Sequence, residues 1–171
     1  MAEVLLINRA DIMRLTGLSG NIDTEKILPH INTAQDIHLQ PIIGTNLLDK
    51  IKALITAGTL TFADNPYYYT LTYTYITPTL VYLVMWDFLP FLQYEISNGG
   101  INQHTTEDGQ SASEENMNTL VKKFKDKAEF YGHRLSDYIC DNSTEFPEVS
   151  EAIDGGELNN EGQQNFNGWV I

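Results

Sequence analysis

A run rich in aromatic residues, YYYTLTYTYITPTLVYLVMWDFLPF, occupies residues 67–91 and carries a proline in each half. Its first part alternates threonine with apolar or aromatic residues, which is typical of a half-buried strand. Other features favour a helix. Asn65 followed by Pro66 is typical of a helix start, and apolar side chains recur every three or four residues. Residues 80–89 are also too continuously apolar for an exposed strand.

We therefore predict one long helix from Pro66 to about Ser97, kinked at Pro78, with a break at Pro90 as an open alternative. A membrane span is a poor alternative, because Asp87 and Pro90 interrupt the apolar part of the run. No lysine or arginine brackets it either, as the flanks of a membrane span would require.

Caps and apolar spacing predict further helices on either side of this one. They run from Asn8 to the glycines of TGLSGN, from Asp23 to LQPIIG with Pro29 inside, from Thr45 to Gly58, and from Ser113 through a long amphipathic stretch. The predicted fold is all-α, a bundle of about four to five helices with a long kinked aromatic helix, an extended loop and a flexible C-terminal tail.

The helices define one domain over residues 1–149, and residues 150–171 form an acidic tail. The polar segment 99–112 has no core signal of its own, and we predict that it is an interaction arm. The tail composition cannot bury enough apolar area to fold alone, yet it ends in NFNGWVI. We interpret this ending as a docking peptide, with plain disorder as the open alternative. The predicted partner-binding residues of arm and tail are Ile101, Gln103, His104, Phe166, Trp169, Val170 and Ile171.

The formal net charge is −13, and every charged residue after Arg134 is acidic. Tight binding of a nucleic acid backbone is disfavoured, because that affinity comes from basic side chains. Cys140 is the only cysteine, so the chain can form no internal disulfide, and no Cys/His cluster suggests zinc. These features fit a reducing cytoplasm, and no export signal is evident at the amino terminus.

No nucleotide, metal or acyl-transfer motif is present, so we predict no enzymatic activity and no cofactor. His30 and His38 lie eight residues apart on one predicted helix, and we expect them on different parts of its surface. Asp87 is embedded among apolar residues, and we expect it to face water or to pair with a lysine of the last helix. We expect Cys140 to behave as a small buried apolar residue.

The lysines between Lys122 and Lys127 resemble a basic patch, but Asp126 interrupts them. A solvated helix face, or one that meets an acidic neighbour, is favoured over a phosphate site. The tyrosines of the aromatic run exceed what a small bundle needs, which suggests a protein interface, with core packing as the open alternative. The predicted subunit-interface residues are Tyr68, Tyr75, Tyr82, Lys123 and Lys127.

Two segments, VLLINRADIMRLTGLSGNIDTEKILPHINTAQDIHLQPIIGTNLLDKI and KAEFYGHRLSDYICDNSTEFPEV, suggest a family. The strongest stretches are NID, AQDIHLQPIIGTNL and YGHRLSDYICDN with the following FPE. Over about residues 4–149 the chain resembles the head–tail connector, or adaptor ring, proteins of tailed phages that infect gut Bacteroidetes, including crAss-like phages. In that family the loop around residues 101–112 and the carboxyl tail vary most.

The resemblance implies an all-helical virion subunit that forms a closed ring, usually of twelve copies, beneath the portal. It implies that the portal and the next tail or neck protein are partners, and that assembly takes place in the host cytoplasm. It also implies that genomic DNA passes through the lumen without tight binding and that no membrane is involved. Acidic charge suits such a channel, because it repels phosphates.

A second hypothesis follows from the charge of −13. An acidic protein can imitate DNA and occupy the basic cleft of a host DNA-binding enzyme. That hypothesis predicts a monomer or dimer that competes with duplex DNA, whereas the connector hypothesis predicts annular assemblies. An uncharacterised enzyme is a weaker third possibility, which would require a pocket with convergent polar groups.

Overall fold

The computed structural model describes residues 4–17, 24–92, 94–97, 100–103 and 114–149. The described chain is all-α apart from one two-stranded hairpin. Its helices are α1 (Arg9–Thr16), α2 (Thr24–Thr33), α3 (Gln40–Ile43), α4 (Thr45–Thr56), α5 (Pro66–Thr70), α6 (Thr77–Leu92) and α7 (Glu114–Asp141), followed by a 3₁₀ turn (Ser143–Glu145). The strands are β1 (Tyr94–Ser97) and β2 (Gly100–Gln103).

Helix α1 forms where its caps predict. The Asn8 side chain accepts hydrogen bonds from the N–H groups of Ala10 and Asp11, and the Asp11 carboxylate accepts from the Asn8 N–H. This reciprocal capping box satisfies donors that have no partner inside the helix. Gly17 ends the helix in a left-handed conformation with φ of 66°. The predicted start and stop of this helix are confirmed.

Two π-helical segments interrupt the longer helices, and both precede a proline. Segment π1 (Ala34–Leu39) joins α2 to α3, and π2 (Leu71–Ile76) joins α5 to α6. The residue after each segment donates its N–H five residues back, from Gln40 to the Gln35 oxygen and from Thr77 to the Thr72 oxygen. Pro41 and Pro78 follow immediately.

A proline ring clashes with the carbonyl four residues earlier in an α-helix and supplies no N–H to it. The extra residue in a π turn moves that carbonyl away and lets the helix continue. The sequence analysis predicted a kink at Pro78. The irregular part of the helix is instead π2, which ends just before this proline. The choice of helix over strand for Tyr69–Tyr75 is confirmed.

The predicted end of the aromatic helix at about Ser97 is wrong, because α6 ends at Leu92 and residues 94–97 form β1. Strand β1 pairs antiparallel with β2, with Ser97 opposite Gly100. The loop between them is Asn-Gly in the sequence, the pair that most favours a two-residue hairpin turn. Strand β2 also occupies the start of segment 99–112, which was predicted to be an extended loop.

The core lies between α6 and the helices around it. Helix α6 is almost entirely buried on its apolar positions, with α7 antiparallel along one side and α1 and α2 on the other. Burial of these apolar side chains is the main favourable term in folding. The largest fully buried side chains include Ile12, Ile27, Ile31, Leu39, Leu47, Ile51, Leu71, Ile76, Leu80 and Phe146.

The extended amino-terminal segment is held by a buried side chain of π1. Gln35 is 0% exposed, and its Oε1 accepts a hydrogen bond of 2.7 Å from the Leu6 N–H. Its Nε2 donates to the Val4 carbonyl at 3.2 Å. The Gln35 amide thus forms the kind of backbone hydrogen bonds that a paired strand would form with this segment. Leu6 and Ile7 of the segment are buried.

Candidate functional site

Pairs of stacked tyrosines join α6 and the preceding π2 to α7. Tyr75 stacks on Tyr138 with ring centroids 4.2 Å apart, and Tyr82 stacks on Tyr131 at 5.2 Å. From the first pair to the second, the chain moves seven residues forward on one helix and seven residues back on the other. Seven residues are about two helical turns, so the two helices run antiparallel. The repeated spacing fixes the register of α7 on α6.

Basic side chains of α7 lie over these rings. The Arg134 guanidinium is 5.6 Å from the Tyr75 centroid and 5.8 Å from that of Tyr131. Lys127 Nζ lies 5.2 Å from the Tyr82 centroid. These are cation–π distances, at which a ring face attracts a positive charge. The cations of α7 therefore do more than face water, which the sequence analysis did not anticipate.

Burial raises the pKa of the Tyr82 and Tyr138 phenols, and the neighbouring phenols Tyr131 and Tyr75 raise them further. The pKa of Tyr68 is raised by burial first, and then by its hydrogen bond to Glu148 and the negative charge there. The Tyr68 hydroxyl donates to Glu148 Oε2 at 2.8 Å. All three phenols stay neutral at physiological pH.

The three tyrosines predicted at a subunit interface thus contact residues of their own chain. Tyr82 is only 7% exposed, and its hydroxyl donates to the Leu15 carbonyl at 3.3 Å. Lys123 and Lys127 lie exposed on α7. The interface assignment of these five residues stays a prediction, and the two lysines are its exposed members.

One exposed line of side chains runs along α7, and we call it the α7 stripe. Its members recur every three or four residues, so they share one helix face. Leu120 is 41% exposed and Phe130 is 58% exposed. None of the five positions is acidic, although the chain as a whole is. The members of the α7 stripe are Leu120, Lys123, Lys127, Phe130 and Arg134.

A second exposed surface lies near the start of the aromatic helix, and we call it the aromatic patch. It consists of Phe62, Tyr69 and Tyr73. The Tyr69 and Tyr73 ring centroids are 4.5 Å apart, and Phe62 meets Tyr69 edge-on at 6.0 Å. Phe62 is 66% exposed and Tyr73 is 50% exposed. The patch does not include Tyr68, Tyr75 or Tyr82, the tyrosines that the sequence analysis assigned to an interface.

Asp87 pairs with a histidine of α2 and not with a lysine of α7, which corrects the expectation from sequence. His30 Nδ1 and Asp87 Oδ2 are 2.6 Å apart. The His30 ring is flanked by Phe88 at 5.1 Å and Phe91 at 4.9 Å. Both members are partly exposed, so the pair joins α2 to α6 near the surface.

His38 lies near enough to this pair for the charge of Asp87 to act on it. In a regular α-helix, side chains eight residues apart differ by about 80° around the helix axis. Because π1 contains one extra residue, His30 and His38 are arranged as if they were seven residues apart, which leaves them only about 20° apart around the axis. Burial lowers the pKa of His38, and the charge of Asp87 opposes that shift only in part. No group of three potential metal ligands occurs among the residues described, and His30, His38 and Asp87 form none.

Cys140 is exposed on α7, whereas the sequence analysis expected a buried side chain. It lies next to Ile139, which faces the core, so one step along the helix reverses the environment. The predicted arm residues Ile101 and Gln103 lie on β2. The other predicted docking residues lie outside the described part of the chain, and their roles stay predictions. They are His104, Phe166, Trp169, Val170 and Ile171.

Fold and geometry define a helical-bundle protein whose conspicuous features are exposed apolar and aromatic side chains. A family described only as a family of unknown function, DUF6712, matches residues 39–155. The chain belongs to this family. Comparisons with curated proteins and with solved structures found no match. Within the residues that the structure describes, no helix is long and apolar enough to cross a membrane.

Proposed function

We propose that this chain is a structural subunit of a tailed-phage virion, a head–tail connector. In this proposal, copies pack side by side into a ring, usually of twelve in proteins that the chain resembles. One end of the ring contacts the portal and the other contacts the next tail or neck protein. The protein catalyses no reaction, and its role is to join capsid and tail around a channel for the genome.

The α7 stripe carries the proposal. It combines two exposed apolar side chains with three cations on one helix face, in a chain whose net charge is −13. Such a face attracts an acidic protein surface, and the rest of an identical subunit supplies one. Because the stripe and its acidic target are different surfaces, the contact is head-to-tail, which is the type that closes into rings.

The phage context comes from the resemblance of residues 4–149, and the observed all-α fold agrees with it. The charge supports the channel, because an acidic lumen repels DNA phosphates and does not retain the genome. The β1–β2 hairpin and the residues after it supply a candidate contact with a second protein. Ile101 and Gln103 remain the proposed contact residues of that arm.

Negative-stain imaging of the purified chain, alone and with the portal protein of the same genome, tests the proposal. Annular particles are expected with the portal. The variant Lys123→Glu/Lys127→Glu is expected to abolish the annular particles, because two glutamates in the stripe would be repelled by an acidic neighbour. Lys122→Glu/Lys125→Glu is the matched control, since it makes the same charge change on α7 away from the stripe and also includes one lysine that lies over a ring, that of Trp86.

Chains that ignore the portal would overturn the proposal. Competition with duplex DNA for a nuclease or polymerase would favour the DNA-mimic hypothesis instead. Circular dichroism of each variant separates loss of assembly from loss of folding. This control matters for Lys127, which also lies over the Tyr82 ring.

A further inference from the structure

The described chain ends beside the aromatic patch. Glu148 accepts the Tyr68 hydroxyl bond, and Phe146 meets the Tyr68 ring edge-on at 5.3 Å. Val149 packs against the core and is the last residue described. Tyr69, the centre of the patch, directly follows Tyr68. The chain therefore leaves the bundle within about one helix diameter, roughly 10–12 Å, of the patch.

The aromatic patch has the character of a docking surface. Phe62 and Tyr73 are at least half exposed. Both rings contact the ring of Tyr69, so the three side chains form one continuous surface. Single exposed apolar residues are normal on proteins, but clustered ones mark interaction sites. Aromatic rings gain about 0.5–1.5 kcal/mol from a well-placed ring partner beyond the area they bury.

The sequence after Val149 supplies a matching occupant. Its apolar aromatic residues, Phe166 and Trp169, lie at the far end, followed only by Val170 and Ile171. Residues 150–165 precede them and are rich in Gly, Asn, Gln and Glu. A chain of that length and composition has a root-mean-square span of about 20–24 Å, at about 5–6 Å times the square root of the residue number.

We propose that the carboxyl-terminal residues Phe166, Trp169, Val170 and Ile171 dock on the aromatic patch of their own chain. The span of the linking residues exceeds the distance from Val149 to the patch, so the contact requires no stretching. Tethering at this length gives an effective concentration on the order of millimolar, which favours the same chain over a second copy. The inference is independent of the connector role, because it uses neither the α7 stripe nor the hairpin.

Fluorescence of the full chain with Trp86→Phe tests the docking, because Trp169 is then its only tryptophan. The Trp169 emission is expected to be blue-shifted relative to a peptide of residues 161–171. In the same background, Phe62→Ser/Tyr73→Ser is expected to move it to the peptide value. Phe91→Ser is the control, since it removes a similarly exposed ring outside both proposed surfaces, and it is expected to leave the emission unchanged.

A peptide-like emission in the parent, or no response to the patch variant, would overturn the inference. So would a blue shift that disappears on dilution, because it would assign the patch to the tail of a second copy. Limited chymotrypsin cleavage avoids the Trp86 substitution. The patch variant is expected to accelerate cleavage after Phe166 and Trp169 in the full chain, and equal rates would count against docking.

Discussion

Tyr75 and Tyr138 lie nearly parallel, at an interplanar angle of 16° and a centroid distance of 4.2 Å, and thereby tie π2 to α7. A seven-residue step along both elements brings Tyr82 onto Tyr131 in the same manner. Two identical ring pairs two turns apart resist sliding of α7, because a shift by one residue would unstack both. The surfaces proposed above depend on this register.

A double-mutant cycle tests the stacking. Tyr75→Leu and Tyr138→Leu each remove one ring, and the coupling free energy between them is expected to be about 0.5–1.5 kcal/mol in favour of the pair. Urea unfolding of the four proteins gives the value. Tyr75→Phe keeps the ring face and serves as the control. A coupling free energy near zero would mean that the stack only reflects shared burial.

Replacing Gln35 is expected to destabilise the fold through the amino-terminal segment. Gln35→Leu keeps the apolar volume but leaves the buried Leu6 N–H without its acceptor, which costs about 1–3 kcal/mol in unfolding free energy. Gln40→Ala is the comparison, since the Gln40 side chain donates to the exposed Thr45 hydroxyl and not into the core. Equal losses in the two variants would contradict the bridging role of Gln35.

Stability is expected to fall as the solution becomes acidic, in part through His38. Burial lowers the pKa of His38 in the folded state below its ordinary value of 6.5. Above that value both states hold a neutral imidazole, so the contribution is fully present. As the pH falls below it, the unfolded chain binds the proton first and is favoured.

Urea midpoints between neutral and mildly acidic pH measure this effect. His38→Gln is expected to reduce the pH dependence of the urea midpoint. A steeper dependence in the variant would show that the sign is wrong. His133→Gln, an exposed histidine on α7, controls for the simple loss of an imidazole.

Cys140 is expected to react with a thiol reagent in the native protein at a rate close to that of a small thiol, because its side chain is exposed. Colorimetric thiol titration without denaturant measures the rate. Cys140→Ser removes the signal completely, since the chain has no other cysteine. A reaction that starts only after denaturation would contradict the exposure.

Local signals in the sequence determined most of the helices. The Asn8 cap, the left-handed glycine at position 17 and the proline at the start of α5 each act within one turn, so their effect is readable without tertiary information. The Asn98-Gly99 pair also favours a hairpin turn. The prediction missed the hairpin because the long apolar period before it suggested that the helix continues to Ser97.

The candidate surfaces were less predictable. The abundance of aromatic side chains was visible in the sequence, but the stacking of Tyr75 and Tyr82 on rings of α7 was not. The sequence analysis expected Asp87 to face water or to pair with a lysine, whereas Asp87 pairs with His30. Each outcome depends on which helix faces which, and local propensity carries no information about that choice.

By itself the sequence determined that the chain folds as an all-α bundle, because apolar period, caps and helix breakers act over a few neighbouring residues. The tertiary structure decided which rings are covered by α7, which form the aromatic patch, and which cations line the α7 stripe. Two π turns in front of prolines shift the helix faces by one residue position, so the final surfaces follow from packing between distant segments.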